Sequence, residues 1–114
     1  MALDPRVPYR LESVDGVTVV HFTDYKIVSD VSDQLFALVE QAGHRQILLD
    51  FSNLTVLSSI AIAKLISLQK KVVKLQGTLR VCCVTPKLLE ILGYIGLDRY
   101  IRIYETQEDA LRTF

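Results

Sequence analysis

A chain of 114 residues, half of them apolar, is long enough to build one domain around a genuine core. Its 13 basic and 13 acidic residues balance, which argues against a protein that binds nucleic acid directly through a global excess of positive charge. No apolar run reaches the roughly 18–20 residues needed to cross a bilayer, and the start, MALDPRVPYRLESVDG, lacks the apolar core of a secretory signal.

These bounds predict one cytoplasmic domain over residues 1–114, without membrane insertion, and its elements begin with a hairpin. In YRLESVDGVTVVHF, β-prone segments flank Asp15-Gly16, which is a favoured two-residue turn. The segment from 29 to 43 is predicted as the first helix because its apolar residues form one stripe: Val31, Leu35, Leu38 and Ala42.

The middle of the chain is typical of a buried strand followed by a long helix and a second strand. QILLDF is a continuous apolar run, as expected for a central strand covered by helices. Apolar residues then recur at three- and four-residue steps along one helix: Ala61, Leu65, Leu68, Val72 and Leu75. Gly77 is a stop signal for that helix. TLRVCCVT follows as a strand, and the intervening helix predicts a parallel, right-handed crossover.

The C-terminal third adds two helices and a short strand. Thr85-Pro86 places an N-cap before a proline at the first helical position, which opens the helix PKLLEILGYIG. RYIRIY alternates like a strand, and TQEDALRTF begins with a T-x-x-D capping box. The order β-β-α-β-α-β-α-β-α predicts an α/β fold with a mixed sheet of about five strands and four helices mainly on one face.

The cysteines and histidines do not predict a metal or cofactor site. Cys82 and Cys83 are neighbours in a predicted strand, where alternation would send their side chains to opposite faces. Free, buried or half-buried thiols are expected rather than a disulfide, and an adjacent pair has no zinc-ligand spacing. His21 is expected to face outward from its strand and His44 to lie in a turn. We therefore predict no metal and no cofactor.

Two hydroxyls, Ser58 and Ser59, stand where the loop after the third strand meets the long helix, in NLTVLSSIAIAKLISLQKK. Open α/β sheets carry functional groups beyond the carboxyl ends of their strands. One interpretation is structural, because serine is a preferred N-cap that contributes about 0.5–2 kcal/mol. The other is a phosphorylation site, because the N-terminal end of a helix favours an anion. A phosphoryl group would add roughly −1.5 to −2 charge.

From RQILLDFSNLTVLSSIAIAKLISLQKKV through QGTLRVCCVTPKLLEILGYIGLDRYIRIYETQEDAL, the chain resembles a STAS domain, the family of bacterial anti-sigma-factor antagonists. The resemblance implies the antagonist-type fold. In the anti-sigma-factor antagonists, the loop before the long helix reads Asp-Ser-Ser/Thr-Gly, and the serine directly after the aspartate is phosphorylated. When this pattern is aligned with the chain without gaps, Ser58 falls at the aspartate position and Ser59 at the position of the phosphorylated serine. Ile60 and Ala61 then fall at the last two positions of the pattern. Shifting the register by one would make Ser58 the acceptor, but it would spoil the match of Asn53-Leu54 and of the helix, so the resemblance favours Ser59 as the acceptor.

The resemblance also implies a bacterial signalling protein in transcription regulation, without catalytic residues of its own. The chain has no P-loop or kinase motif, and no nucleophile elbow surrounds Ser59. Its partners would be an anti-sigma factor or a related serine/threonine kinase, with a separate phosphatase to reset the phosphorylated form. Partner-binding residues are expected in the loop and first helical turns: Asn53, Thr55, Ser58, Ser59, Ala61 and Lys64. The alternative is a phosphorylation-independent scaffold or small-ligand-binding module of the same fold.

Overall fold

The structure is a computed structural model that describes residues 9–22, 35, 37, 39, 44–55 and 57–114. Five strands form one sheet in the order β1-β2-β3-β4-β5. They are β1 (Tyr9–Val14), β2 (Val17–Phe22), β3 (Gln46–Asp50), β4 (Thr78–Cys82) and β5 (Arg102–Tyr104). β1 pairs antiparallel with β2, and the other neighbouring pairs are parallel. The predicted mixed sheet of five strands is confirmed.

The hairpin between β1 and β2 turns at Asp15 and Gly16, as the sequence predicts. Both residues have a left-handed backbone, with φ of 51° and 82°, which a type I′ turn requires at its two central positions. This turn fixes the register, so that Arg10 lies opposite His21. Glu12, two residues further along β1, therefore shares a sheet face with His21.

Three α-helices have defined bounds among the described residues: α1 (Ser59–Lys74), α2 (Pro86–Ile95) and α3 (Gln107–Leu111). A short 3-10 helix, Leu97–Arg99, follows α2. The other predicted helix, over residues 29–43, falls largely outside the described residues. Within it Leu35, Ala37 and Val39 are helical, and Leu35 and Val39 are buried. None of the helices in the described part of the chain combines the length and apolar character that a bilayer span requires.

The main core lies on the sheet face that α1 and α2 cover. The apolar stripe predicted for α1 is buried there at four of its five positions: Ala61, Leu65, Leu68 and Val72. A smaller apolar cluster on the opposite face joins β2, β3 and β4 to Ala110 of α3. The helices thus pack mainly on one face, as the element order predicts.

The end of α1 differs from the prediction in the role of Gly77. The C-cap is Leu75, and the left-handed residue is Gln76, with φ of 64°. Gly77 is needed for space instead, because a Cβ atom there would lie 2.4 Å from the carbonyl oxygen of Arg45. That carbonyl accepts a hydrogen bond from the Thr78 N–H at 2.7 Å. The glycine therefore lets β4 begin directly beside the chain that leads into β3.

Candidate functional site

The loop between β3 and α1 is anchored to the core before the helix begins. Phe51 and Leu54 are fully buried, and the Leu54 N–H donates to the Phe51 carbonyl at 3.0 Å. The Phe51 ring packs edge-on against Phe22, with centroids 5.6 Å apart. Asn53 Nδ2 donates to the Phe22 carbonyl at 3.0 Å. These contacts hold the loop at the carboxyl end of the sheet and fix where α1 starts.

Ser58 is the N-cap of α1. Its backbone is extended, with φ of −73° and ψ of 159°, and its Oγ accepts a hydrogen bond from the Ala61 N–H at 3.0 Å. Its carbonyl accepts the first intrahelical bond, from the Ile62 N–H at 3.0 Å. The structural interpretation of the serine pair therefore accounts for Ser58.

Ser59 has a different environment, although it is the next residue. It is the first residue of α1, it is exposed, and its hydroxyl has no hydrogen-bond partner within the described part of the chain. The first turn of this 16-residue helix carries no acidic side chain, so its positive end is not neutralised locally. The chain therefore presents one serine oxygen engaged in a cap and one open to solvent.

The other predicted partner-binding residues differ in exposure. Three remain exposed or half-buried: Asn53, Thr55 and Lys64. Ala61 is a correction, because its side chain is only 1% exposed. It begins the apolar stripe that packs on the sheet and is not available to a partner. The apolar side chain that is exposed next to Ser59 is instead that of Ile60, whose exposed fraction is 62%.

The family pattern does not point to a surface role for Ile60, although the position of Ile60 on α1 does. Ile60 lies four residues before Lys64 and seven before Ser67, about 100° around α1 from the apolar stripe. A polar residue is the usual occupant of such a position. The first turn of α1 therefore exposes an apolar side chain next to the exposed Ser59.

Replacing Ser58 with alanine should lower the free energy of unfolding by about 0.5–2 kcal/mol, because the Ala61 N–H loses its acceptor. Ser59→Ala should change it by less than about 0.5 kcal/mol, because that hydroxyl holds no partner among the described residues. Urea unfolding followed by circular dichroism compares the two variants. Equal losses would contradict the assignment of Ser58 as the cap.

A second group of polar side chains crosses the carboxyl ends of the strands. His21 Nδ1 lies 3.2 Å from Asp50 Oδ2, and His21 Nε2 lies 3.0 Å from Glu12 Oε1. Asp50 is buried, and its Oδ1 accepts a hydrogen bond from the Ser52 N–H at 2.9 Å. The prediction that His21 faces outward is wrong, because the two carboxylates hold the imidazole half-buried between them. Only 15% of the His21 side chain is exposed.

The two cysteines lie on the same side of the sheet, which corrects the prediction of opposite faces. Their Sγ atoms are 3.1 Å apart. Cys82 is the last residue of β4, and Cys83 has a left-handed backbone with φ of 64°, so strand alternation stops at Cys82. Both thiols are free, one buried and one half-buried, as predicted. Burial raises the pKa of both thiols, and the negative charge of Asp50 raises them further.

A cavity of about 600 Å³ lies between α2 and β5. Apolar side chains form much of its lining: Val84, Pro86, Leu89 and Ile103. Asp98 and Glu105 add two carboxylates. No sequence motif indicates this cavity, because its lining comes from three segments that only the fold brings together.

Three solved structures share this architecture. An anti-sigma factor antagonist from Mycobacterium paratuberculosis is 25% identical, with 92% of this chain and 91% of that chain covered and a TM-score of 0.78. An anti-sigma-factor antagonist (STAS) domain protein from Planctomyces limnophilus is 21% identical, with 92% of this chain and 96% of that chain covered and a TM-score of 0.74. The anti-sigma factor antagonist SpoIIAA in its unphosphorylated form is 17% identical, with 90% of this chain and 92% of that chain covered and a TM-score of 0.71.

The sequence itself matches the family model of the STAS domain over residues 9–110. This range contains the whole sheet, the loop after β3 and the helix that begins at Ser59. The match and the shared architecture agree on the fold. The chain belongs to the STAS domain family.

Proposed function

We propose that this protein is a non-enzymatic, cytoplasmic partner-switching regulator of the anti-sigma-factor antagonist type, acting as a single domain. In its unmodified form it binds an anti-sigma factor or a related serine/threonine kinase. Phosphorylation of Ser59 releases that partner, and a separate phosphatase restores the unmodified form. The observation that carries the proposal is the exposed Ser59 hydroxyl at the first turn of α1, next to the exposed side chain of Ile60.

Ser59 is the better phosphate acceptor of the pair because its hydroxyl has no structural task. Phosphorylating Ser58 would remove the oxygen that accepts from the Ala61 N–H, at a cost comparable to losing the cap. A phosphoryl group on Ser59 would instead lie near the unpaired N–H groups of the first turn, which favour an anion. The free protein therefore tolerates modification at Ser59.

Ser58 occupies the position at which the antagonist pattern has an aspartate, and the hydrogen bonds of Ser58 show what this replacement keeps. Serine and aspartate are both strong N-caps, and Ser58 caps α1. The replacement keeps the helix start and removes one negative charge from beside Ser59. We therefore expect the partner to meet Ser58 through a hydrogen bond rather than through an ion pair.

Ile60 explains why a phosphoryl group at Ser59 would disrupt the complex. The centre of a protein interface is apolar, closely packed and depleted of charge. Docking that covers Ile60 would also bring Ser59 out of water, because the two residues are adjacent on the first turn of α1. Removing a doubly charged group from water is costly unless it is paired. The phosphorylated protein is thus stable when free in solution, but its phosphoryl group opposes formation of the complex.

Ile60→Asn should weaken binding to the anti-sigma factor or kinase by about tenfold or more, because it removes apolar contact area beside Ser59. The matched control is Val73→Asn, which changes an apolar residue of the same helix with a similar exposed fraction, 59% against 62%. Val73 lies near the far end of α1 and should leave binding unchanged.

Calorimetric titration of a candidate anti-sigma factor kinase with the wild type and both variants tests this placement of the interface. Urea unfolding of each variant separates a lost contact from lost stability. Equal affinities for the Ile60 and Val73 variants would contradict a partner surface at the start of α1.

A phosphorylation-independent ligand-binding module is the second candidate, and the cavity beside α2 favours it. Its volume of about 600 Å³ lies in the range of small-molecule sites. A ligand in this cavity would contact Leu89 and Ile103 rather than the start of α1. Under this alternative, Ser59→Glu would leave both ligand and partner affinity unchanged.

A further inference from the structure

The cluster at the carboxyl ends of β3 and β4 contains three metal-ligating side chains that the proposed switch does not use. One ligand atom from each of Asp50, Cys82 and Cys83 lies within 4.8 Å of the other two. Asp50 and Cys82 are paired across β3 and β4, and the left-handed backbone of Cys83 brings the second thiol to the same place. The cluster lies on the sheet face that α3 covers.

We propose that Asp50, Cys82 and Cys83 form a binding site for a thiophilic divalent metal ion of the zinc class. Zinc accepts thiolate and carboxylate ligands, and three protein ligands leave its fourth position open to water. Two sulfur ligands of a tetrahedral zinc lie about 3.8 Å apart, given Zn–S bonds of about 2.3 Å. The present Sγ separation is 3.1 Å, so binding requires the two sulfur atoms to move about 0.7 Å further apart.

The burial of Asp50 supports the proposal. Within the described part of the chain, Asp50 is the one buried charged residue, with 6% of its surface exposed. Buried charges in proteins are normally paired or coordinate a metal. A divalent ion would compensate this carboxylate together with two thiolates. Each thiol would release its proton to solvent as its sulfur bonds to the metal, leaving a net charge of about −1 on the site.

The surroundings of Asp50 hold its carboxylate in place while leaving it able to bind. The Ser52 N–H donates to Oδ1, and His21 Nδ1 lies 3.2 Å from Oδ2. Each carboxylate oxygen has two lone pairs, so both retain capacity for a metal. Histidine and backbone partners of this kind orient metal ligands, and removing one typically weakens metal binding by about 10–100-fold. His21 is thus a positioning residue of the proposed site.

A metal ion can reach the cluster without opening the core. Cys82 is fully buried, whereas Cys83 is half-buried and 15% of the His21 side chain is exposed. The solvent-facing side of the cluster is therefore formed by Cys83 and His21. This arrangement separates it from an ordinary pair of core cysteines, which would be sealed on every side.

The test uses the full chain with its thiols reduced, titrated first with Co²⁺ and then with Zn²⁺. Thiolate ligation of Co²⁺ produces sulfur-to-metal charge-transfer absorption in the near ultraviolet, which Zn²⁺ should abolish by displacement. Zinc affinity is then measured by competition with a chromophoric chelator. We expect saturation at a single zinc ion per chain.

Cys83→Ser should weaken zinc binding by about 100-fold or more, because a hydroxyl is a poor replacement for a thiolate ligand. His21→Gln should weaken it by about 10–100-fold. The matched control is His44→Gln, because His44 Nδ1 contacts Thr18 Oγ1 at 2.6 Å and not the cluster. Absence of charge-transfer absorption in the wild type would overturn the proposal. Unchanged zinc affinity in the folded Cys83 variant would overturn it as well, and neither result bears on Ser59.

Discussion

Phosphorylation of Ser59 should weaken binding of the anti-sigma factor or kinase by about thirtyfold or more. The modification places roughly −1.5 to −2 charge beside Ile60, whose side chain is 62% exposed and suited to an apolar contact. Disrupting a central interface contact costs about 2 kcal/mol or more, which corresponds to this change in affinity. Calorimetric titration of the partner with unmodified and enzymatically phosphorylated protein measures the effect.

Two variants separate charge from the loss of the hydroxyl. Ser59→Ala should bind the partner nearly like the wild type, because alanine adds neither charge nor bulk to the interface. Ser59→Glu should fall between the wild type and the phosphoprotein, since a carboxylate carries less charge. Far-ultraviolet circular dichroism of each form checks that the fold is retained. A phosphoprotein that binds as tightly as the unmodified form would refute the switch.

Gly77→Ala should lower the free energy of unfolding by about 2–3 kcal/mol. Its new Cβ atom would lie 2.4 Å from the Arg45 carbonyl oxygen and 3.0 Å from Val72 Cγ1. The Arg45 oxygen is fixed by its hydrogen bond to Thr78, and Val72 is buried in α1. Neither neighbour can swing away, so the backbone must shift. Urea unfolding measures the loss.

Gly93→Ala is the matched control for this prediction. Gly93 lies within α2, and a Cβ atom added there meets nothing within 4 Å. Alanine in a helix interior is favoured over glycine by about 0.5–1 kcal/mol. The same substitution should therefore stabilise the protein at one position and destabilise it at the other. If both substitutions changed the free energy of unfolding in the same direction, the close approach between Gly77 and the Arg45 carbonyl would be contradicted.

The parts of the fold that depend on local rules could be predicted from the sequence. The Asp15-Gly16 turn, the apolar stripe of α1 and the Thr106 cap of α3 depend on residues close together in the chain. The structure places all three as expected, and the Thr106 Oγ1 accepts from the Asp109 N–H at 3.0 Å. The family pattern added the position of the candidate acceptor, Ser59.

The features that sequence analysis missed depend on one backbone angle or on a contact between distant segments. Alternation failed at Cys83 because its φ of 64° ends the strand pattern, and no adjacent glycine signals that change. Gly77 is required by Arg45, which is distant in sequence. His21 turned inward because Asp50, 29 positions later, is its register partner on β3.

The most direct test of the switch is to localise the phosphoryl group. The wild type, Ser58→Ala and Ser59→Ala are each incubated with the candidate anti-sigma factor kinase and magnesium ATP, and their peptides are sequenced by mass spectrometry. We predict one phosphoryl group on Ser59 in the wild type and in Ser58→Ala, and none in Ser59→Ala. Modification of Ser58 in the wild type, or no modification of either serine by the kinase that binds this protein, would contradict the account.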